Sequence, residues 1–203
     1  MSDPAYILFW DTSRVGDEGV TANLVEFPGS DNAIGWIHTR RIEVPDPVYF
    51  EARVETIREV DYPDNDVRWP IMSERMRAIL LGDAPEHRVM PVAFLDDMVP
   101  TAERFENRTP RPGVAIEGFA AIQILERTDA FDMERSEYTP DPDLPGRVVD
   151  LKRLVLKDTP LPPLFRISAY PSLLLVSHRA RLELDAAGIQ GAEFHPLERA
   201  PRL

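Results

Sequence analysis

Cysteine does not occur among the 203 residues, which excludes disulfides, thiolate metal sites and thiol nucleophiles and suits a reducing cytoplasm. Lysine occurs only as Lys152 and Lys157. No apolar run approaches the roughly 18 residues that a membrane span needs. Met1-Ser2-Asp3-Pro4 also lacks a basic stretch followed by an apolar core. The expectation is a cytoplasmic protein that stays out of the membrane. A Gly-x-Ser-x-Gly elbow and a Gly-x-Gly-x-x-Gly loop are missing, and Gly16 and Gly19 have no helix behind them to cradle a phosphate. No cofactor is therefore expected.

Positive charge is scarce as well, with 23 Lys and Arg against 35 Asp and Glu and a net charge of −12. Nucleic acid is not an expected partner, because its binding rests on cations that neutralise phosphates. Residues 1–68 carry 14 acidic and 6 basic groups, net −8, which leaves −4 for the other 135. An acidic lobe of this kind can steer a basic partner over long range, and it also keeps a protein soluble.

What is present is enough for a core, since a chain of this length buries on the order of 70% of its unfolded surface. The stretch from Leu164 to Leu197 reads as strand, helix and strand. Leu173 to Val176 is an apolar run, Ser177 is a helix N-cap, and Ala180, Leu184 and Ala187 recur at helical spacing. Gly188 suits a left-handed helix end, and Ala192 to Leu197 is a closing strand ended by Pro196. The same order occurs earlier: Ser73 as cap, a helix to Leu81, Gly82, then Val89-Met90-Pro91-Val92. Ser73 to Pro91 spans 18 positions and Ser177 to Pro196 spans 19, so a strand-helix-strand pseudo-repeat is expected.

Elsewhere the spacing predicts strands over Ala5 to Trp10, Val20 to Phe27, Gly35 to His38, Val48 to Val54, Val89 to Leu95 and Val148 to Leu156. Val114 to Leu125 reads as a central strand bent at Gly118. Asp61 to Asp66 reads as an exposed turn, and Thr101 to Gly113 and Tyr138 to Arg147 read as solvated loops. Twenty prolines against few helical periods predict an α+β fold, with a mixed or mostly antiparallel sheet and a few short helices. An acidic strand-rich lobe over 1–60 is expected to pack with 61–203 as one compact unit.

The four histidines, His38, His87, His178 and His195, have no spacing that places two on one helical face, so a metal site is not expected. Ser177 and His178 are neighbours that point in different directions at a helix start, which favours a cap over a nucleophile and base. Asp96 with Asp97, Asp129 with Asp132, and Asp61 with Asp64 and Asp66 are the acids from which a small carboxylate hydrolase could be built. In turns, such acids are usually solvated. Arg75, Arg77, Arg179 and Arg181 repeat between the two helices and read as packing and ion-pairing groups.

In order along the chain, several landmarks resemble those of a bacterial immunity-protein family from polymorphic toxin systems. They are Ser73-Glu74-Arg75-Met76 with Leu80, Val89 to Val92, Ala121 to Ile124 running on to Phe131-Asp132 and Ser136, Leu164-Phe165-Arg166-Ile167, and Val176-Ser177 with Gly188 to Phe194. The likeness covers about residues 60–197, and Gln123 stands where the family usually has asparagine in the central strand. It implies a cytoplasmic α+β protein that binds and neutralises a cognate toxin without catalytic residues. An acidic inhibitor suits a basic, nuclease-like toxin, with Asp61, Asp64, Asp66, Asp96 and Asp97 as the expected contacts. The alternatives are the carboxylate hydrolase and an adaptor or chaperone module for a secreted effector.

Overall fold

A computed structural model describes residues 4–11, 13, 22–27, 39–107 and 109–197. The chain opens with strands β1 (Ala5–Trp10), β2 (Ala22–Leu24) and β3 (Val48–Ala52), then helix α1 (Val54–Arg58). It continues through β4 (Ile71–Ser73), α2 (Glu74–Leu80), β5 (His87–Asp96), α3 (Thr101–Arg104), β6 (Phe105–Glu106) and β7 (Thr109–Pro110). There follow β8 (Ala115–Ile124), β9 (Glu137–Pro140), β10 (Val148–Arg153) and β11 (Leu164–Phe165), and the last unit is β12 (Leu175–Ser177), α4 (His178–Ala186) and β13 (Ala192–Pro196). The fold is α+β and mostly sheet.

Two sheets carry it. One is antiparallel, ordered β11-β12-β1-β13; the other is ordered β2-β3-β5-β8-β4 and is mixed, because β3 and β5 run parallel. β1 therefore lies inside the sheet of the C-terminal unit, while β2 and β3 extend the other sheet. The described strands of residues 1–60 are thus shared between the two.

The pseudo-repeat is present and has a feature that spacing does not reveal. In each copy the two strands flanking the helix are parallel but not adjacent, because an antiparallel strand from elsewhere in the chain lies between them: β8 between β4 and β5, and β1 between β12 and β13. The match extends to single residues. The cap Ser73 pairs with Phe119 and the strand proline Pro91 with the next residue, Ala120. Ser177 pairs with Ala5, and Pro196 with Tyr6. Each cap hydroxyl accepts from the backbone N–H three residues on, Met76 or Ala180, at 3.3 Å.

The two helices face each other across one core. Met76 and Leu80 of α2 and Ala180 and Leu184 of α4 meet Leu8 of β1 and Ala120, Ile122 and Ile124 of β8, all buried. Fully burying a side chain the size of Met or Leu is worth about 1.5–3 kcal/mol, so this shared layer joins the copies. A second core around Phe50, Trp69 and Phe94 fills the other face of the mixed sheet, and a third, with Ile7 and Phe165, lies under β9 and β10.

Several expectations are corrected. The strand predicted to Val54 stops at Ala52, and Val54 starts α1 with its side chain in the core. The strand expected over Val89 to Leu95 is present as β5 and carries Pro91 inside it, unlike Pro196 at the end of β13; pairing with β3 begins one residue after Pro91, at Val92. Gly82 follows α2 without a left-handed backbone, whereas Gly188 after α4 has φ 63°. Asp61 to Asp66 is not exposed throughout, since Asp61 and Asn65 are 4% and 1% accessible. Thr101 to Gly113 contains α3 and the β6–β7 pair, packed through the buried Arg104, which donates to Glu51. Tyr138 to Pro140, read as loop, belongs to β9. The strand expected over Gly35 to His38 lies outside the described residues.

The two caps differ in one respect that stability can read. Ser73 Oγ also donates to Asp61 Oδ1 at 2.6 Å. Ser177→Ala is expected to cost about 1 kcal/mol, the usual value of a cap, and Ser73→Ala measurably more in the same urea titration. Equal losses would contradict the second role of Ser73.

Candidate functional site

The acids singled out by sequence serve different parts of the fold. Asp61 is the most deeply engaged. Its carboxylate accepts from Arg75 Nε at 2.6 Å and Nη2 at 2.5 Å, from Ser73 Oγ at 2.6 Å and from the Gln190 backbone at 2.9 Å. Its backbone closes the same junction, with Ser73 N–H donating to Asp61 O at 2.8 Å and Asp61 N–H to Gln190 O at 2.9 Å. Arg75 also donates to the Ala187 and Gly188 carbonyls at 3.2 Å, where α4 ends. Burial works against the charge of Asp61, but the hydrogen bonds from Arg75, Ser73 and Gln190 outweigh it and hold the carboxyl below its ordinary value. Gly191 lets the chains approach this closely: at φ +84°, a Cβ there would stand 2.9 Å from the Tyr62 carbonyl.

The other four acids lie in two places, the connection from α1 to β4 and the end of β5. Asp64 is half-buried and accepts from Asn65 N–H at 2.8 Å; burial pushes its carboxyl up against the pull of that bond and of Arg68. Asp66 is exposed and accepts from Leu24 N–H at 3.0 Å on the edge of β2. Asp96 accepts from Met98 N–H at 3.0 Å in the turn after β5, and Asp97 pairs with Arg53 at 3.3 Å. The remaining pair, Asp129 and Asp132, lines a hollow of about 450 Å³ beside Met133, but each acid already faces a cation, Lys157 at 2.9 Å and Arg135 at 2.6 Å. Among the described residues no group of three His, Cys, Asp or Glu side chains is placed to hold a metal ion, and no helix is long and apolar enough to cross a membrane.

Two landmarks of the resemblance are structural in this fold. Gln123, fully buried in β8, donates to Arg40 O at 2.7 Å and accepts from Ile42 N–H at 3.5 Å, which ties down the strap that leads to β3. Arg166 is also buried and donates to the Pro171 and Ser172 carbonyls at 2.7 and 3.0 Å. Burial lowers its pKa to about 9, so it still carries its charge near neutral pH.

An open groove of about 360 Å³ lies beside α2. Its floor is Val89, Pro91 and Ala93 of β5 with Gly118 and Ala120 of β8; Arg77 forms one wall, and Asp46 and Glu117 stand at the rim. A β-bulge makes it. Val92 pairs with Phe119 but Phe94 pairs with Ile116, so Glu117 and Gly118 together oppose Ala93. Gly118 adopts φ +91° with nothing within 4 Å of the place a Cβ would take, and its carbonyl accepts from Arg77 at 3.0 Å. The bend at Gly118 is legible in sequence; the groove is not, because its lining comes from four separate segments spread between Asp46 and Ala120.

No family model matches the chain, and no curated protein matches it either.

The Asp61 junction has a defined pH dependence. A carboxylate held below its ordinary value stabilises the fold above the unfolded pKa of about 4 and loses that contribution as pH falls through the folded value. Asp61→Asn is expected to cost about 2–3 kcal/mol at pH 7, less than a fully buried pair because Arg75 is half exposed and rehydrates. The gap between variant and wild type should close as urea titrations are taken below pH 4. A gap independent of pH would contradict the assignment. Gly191→Ala is expected to cost more than Gly188→Ala, where the left-handed backbone alone, about 1–2 kcal/mol, is at stake and the space is open.

Proposed function

We propose that this protein is an immunity protein, which binds a cognate bacterial toxin in the cytoplasm and neutralises it by occupancy rather than by chemistry. The observation that carries the reading is the groove at the Gly118 bulge, which opens an apolar floor to solvent between two carboxylates on a chain of net charge −12. A rigid frame supports such a surface. Ser73, Arg75, Gly188, Gln190 and Gly191, which belong to the landmarks of the resemblance, are the residues that lock the two halves together. The partner is a basic protein. Exposed acids such as Asp46, Asp66, Asp97 and Glu117 would accelerate its approach, so the association rate falls as salt rises.

Co-expression with the neighbouring reading frame tests the proposal. That frame alone should arrest growth, and growth should return when this chain is present. A neighbouring frame that is harmless alone, or equally toxic with this chain, contradicts the reading.

A further inference from the structure

The two copies of the repeat fill the space beside the helix differently, and the difference defines what the groove lacks. The register fixes the correspondence: four residues after the cap stand Arg77 and Arg181, two residues before the strand proline stand Val89 and Phe194, and opposite the proline stand Ala120 and Tyr6. In the C-terminal copy the two aromatic rings occupy the space beside the helix. The Arg181 guanidinium lies over them, 4.3 Å from the Tyr6 centroid and 5.7 Å from that of Phe194. In the N-terminal copy both rings are replaced by small side chains, so Arg77 leans on the Gly118 carbonyl instead and Val89 is left 40% accessible. The hollow that results is the groove.

We propose that this groove receives an aromatic side chain from another protein, seated on the exposed Val89 and Pro91 beside the guanidinium of Arg77, where the C-terminal copy supplies its own rings. A cation over a ring face is favourable, and desolvation in the groove adds to it. The rim sets the rest of the chemistry. Asp46 and Glu117 flank the opening and are exposed, so the ring that enters is carried on a segment with lysine or arginine beside it. The identity of the occupant as the neutralised toxin rests on the function proposed above; the preference for a ring flanked by cations does not.

The test therefore needs no toxin. The ¹⁵N-labelled full chain is titrated with the peptide acetyl-Lys-Trp-Lys-amide and, separately, with acetyl-Lys-Ala-Lys-amide. The tryptophan peptide should give saturable shifts at Val89, Val92, Gly118 and Ala120, and the alanine peptide should give none there. Val89→Phe fills the groove as Phe194 fills the other copy and should weaken tryptophan-peptide binding at least ten-fold, with the remaining spectrum unchanged. Arg77→Gln should weaken it as well. Shifts centred elsewhere, equal response to both peptides, or full binding by Val89→Phe would overturn the proposal. So would a concentration-dependent dimer that Val89→Phe abolishes, since the groove would then be filled by a second copy. A harmless neighbouring frame in the co-expression test would remove the toxin and leave the peptide result standing.

Discussion

The rest of the structure depends on the charged contact between Asp61 and Arg75. The buried end, Asp61, would not be stable alone. Asp61 is nearly removed from water, with a side chain 6% accessible, and only the donors of Arg75, Ser73 and Gln190 make its ionised form tolerable there. Arg75 starts in the first helix of the repeat and ends on the last carbonyls of the second, where the negative end of a helix favours a cation. One guanidinium thus meets the carbonyls at the end of α4 and neutralises Asp61, which in turn accepts from the Gln190 N–H just before β13.

This contact also breaks the symmetry of the repeat. Arg179, at the position equivalent to Arg75, pairs along its own helix with Glu183 at 3.0 Å and is 83% accessible. Arg77 and Arg181 diverge in the same way, one bonded to a bulged carbonyl and the other stacked on rings. The C-terminal copy is closed on itself and the N-terminal copy is left open. That asymmetry places the open groove on β5 and β8 rather than on β1 and β13.

Local signals were legible in sequence and distant ones were not. Ser73, Ser177 and Gly188 act within a few residues of themselves, so their roles as caps and helix end follow from spacing alone. The inserted strands β8 and β1 do not, because they arrive from positions about 40 and 170 residues away from the helices they serve. Asp61 resembled a solvated acid for the same reason: within its turn it is one charge among several, and its partners are Arg75, 14 residues on, and Gln190, 129 residues on. Pro91 sits inside β5 because a strand can carry a proline where the neighbouring strand has not yet begun to pair. The correspondence of Tyr6 and Phe194 with Ala120 and Val89 was in the sequence throughout, yet it needs the strand register before the positions can be matched.

Native-state hydrogen exchange in wild type and Arg75→Ala most directly tests whether this contact makes one unit of the two halves. The amide of Leu8 bonds to Leu174 O in one sheet, and the amide of Ile122 bonds to Pro70 O in the other. In wild type both should exchange through a single opening of equal free energy, and in Arg75→Ala the two should separate by about 1 kcal/mol or more. If they coincide in the variant as in wild type, the halves are joined by their shared apolar layer alone and the account is wrong.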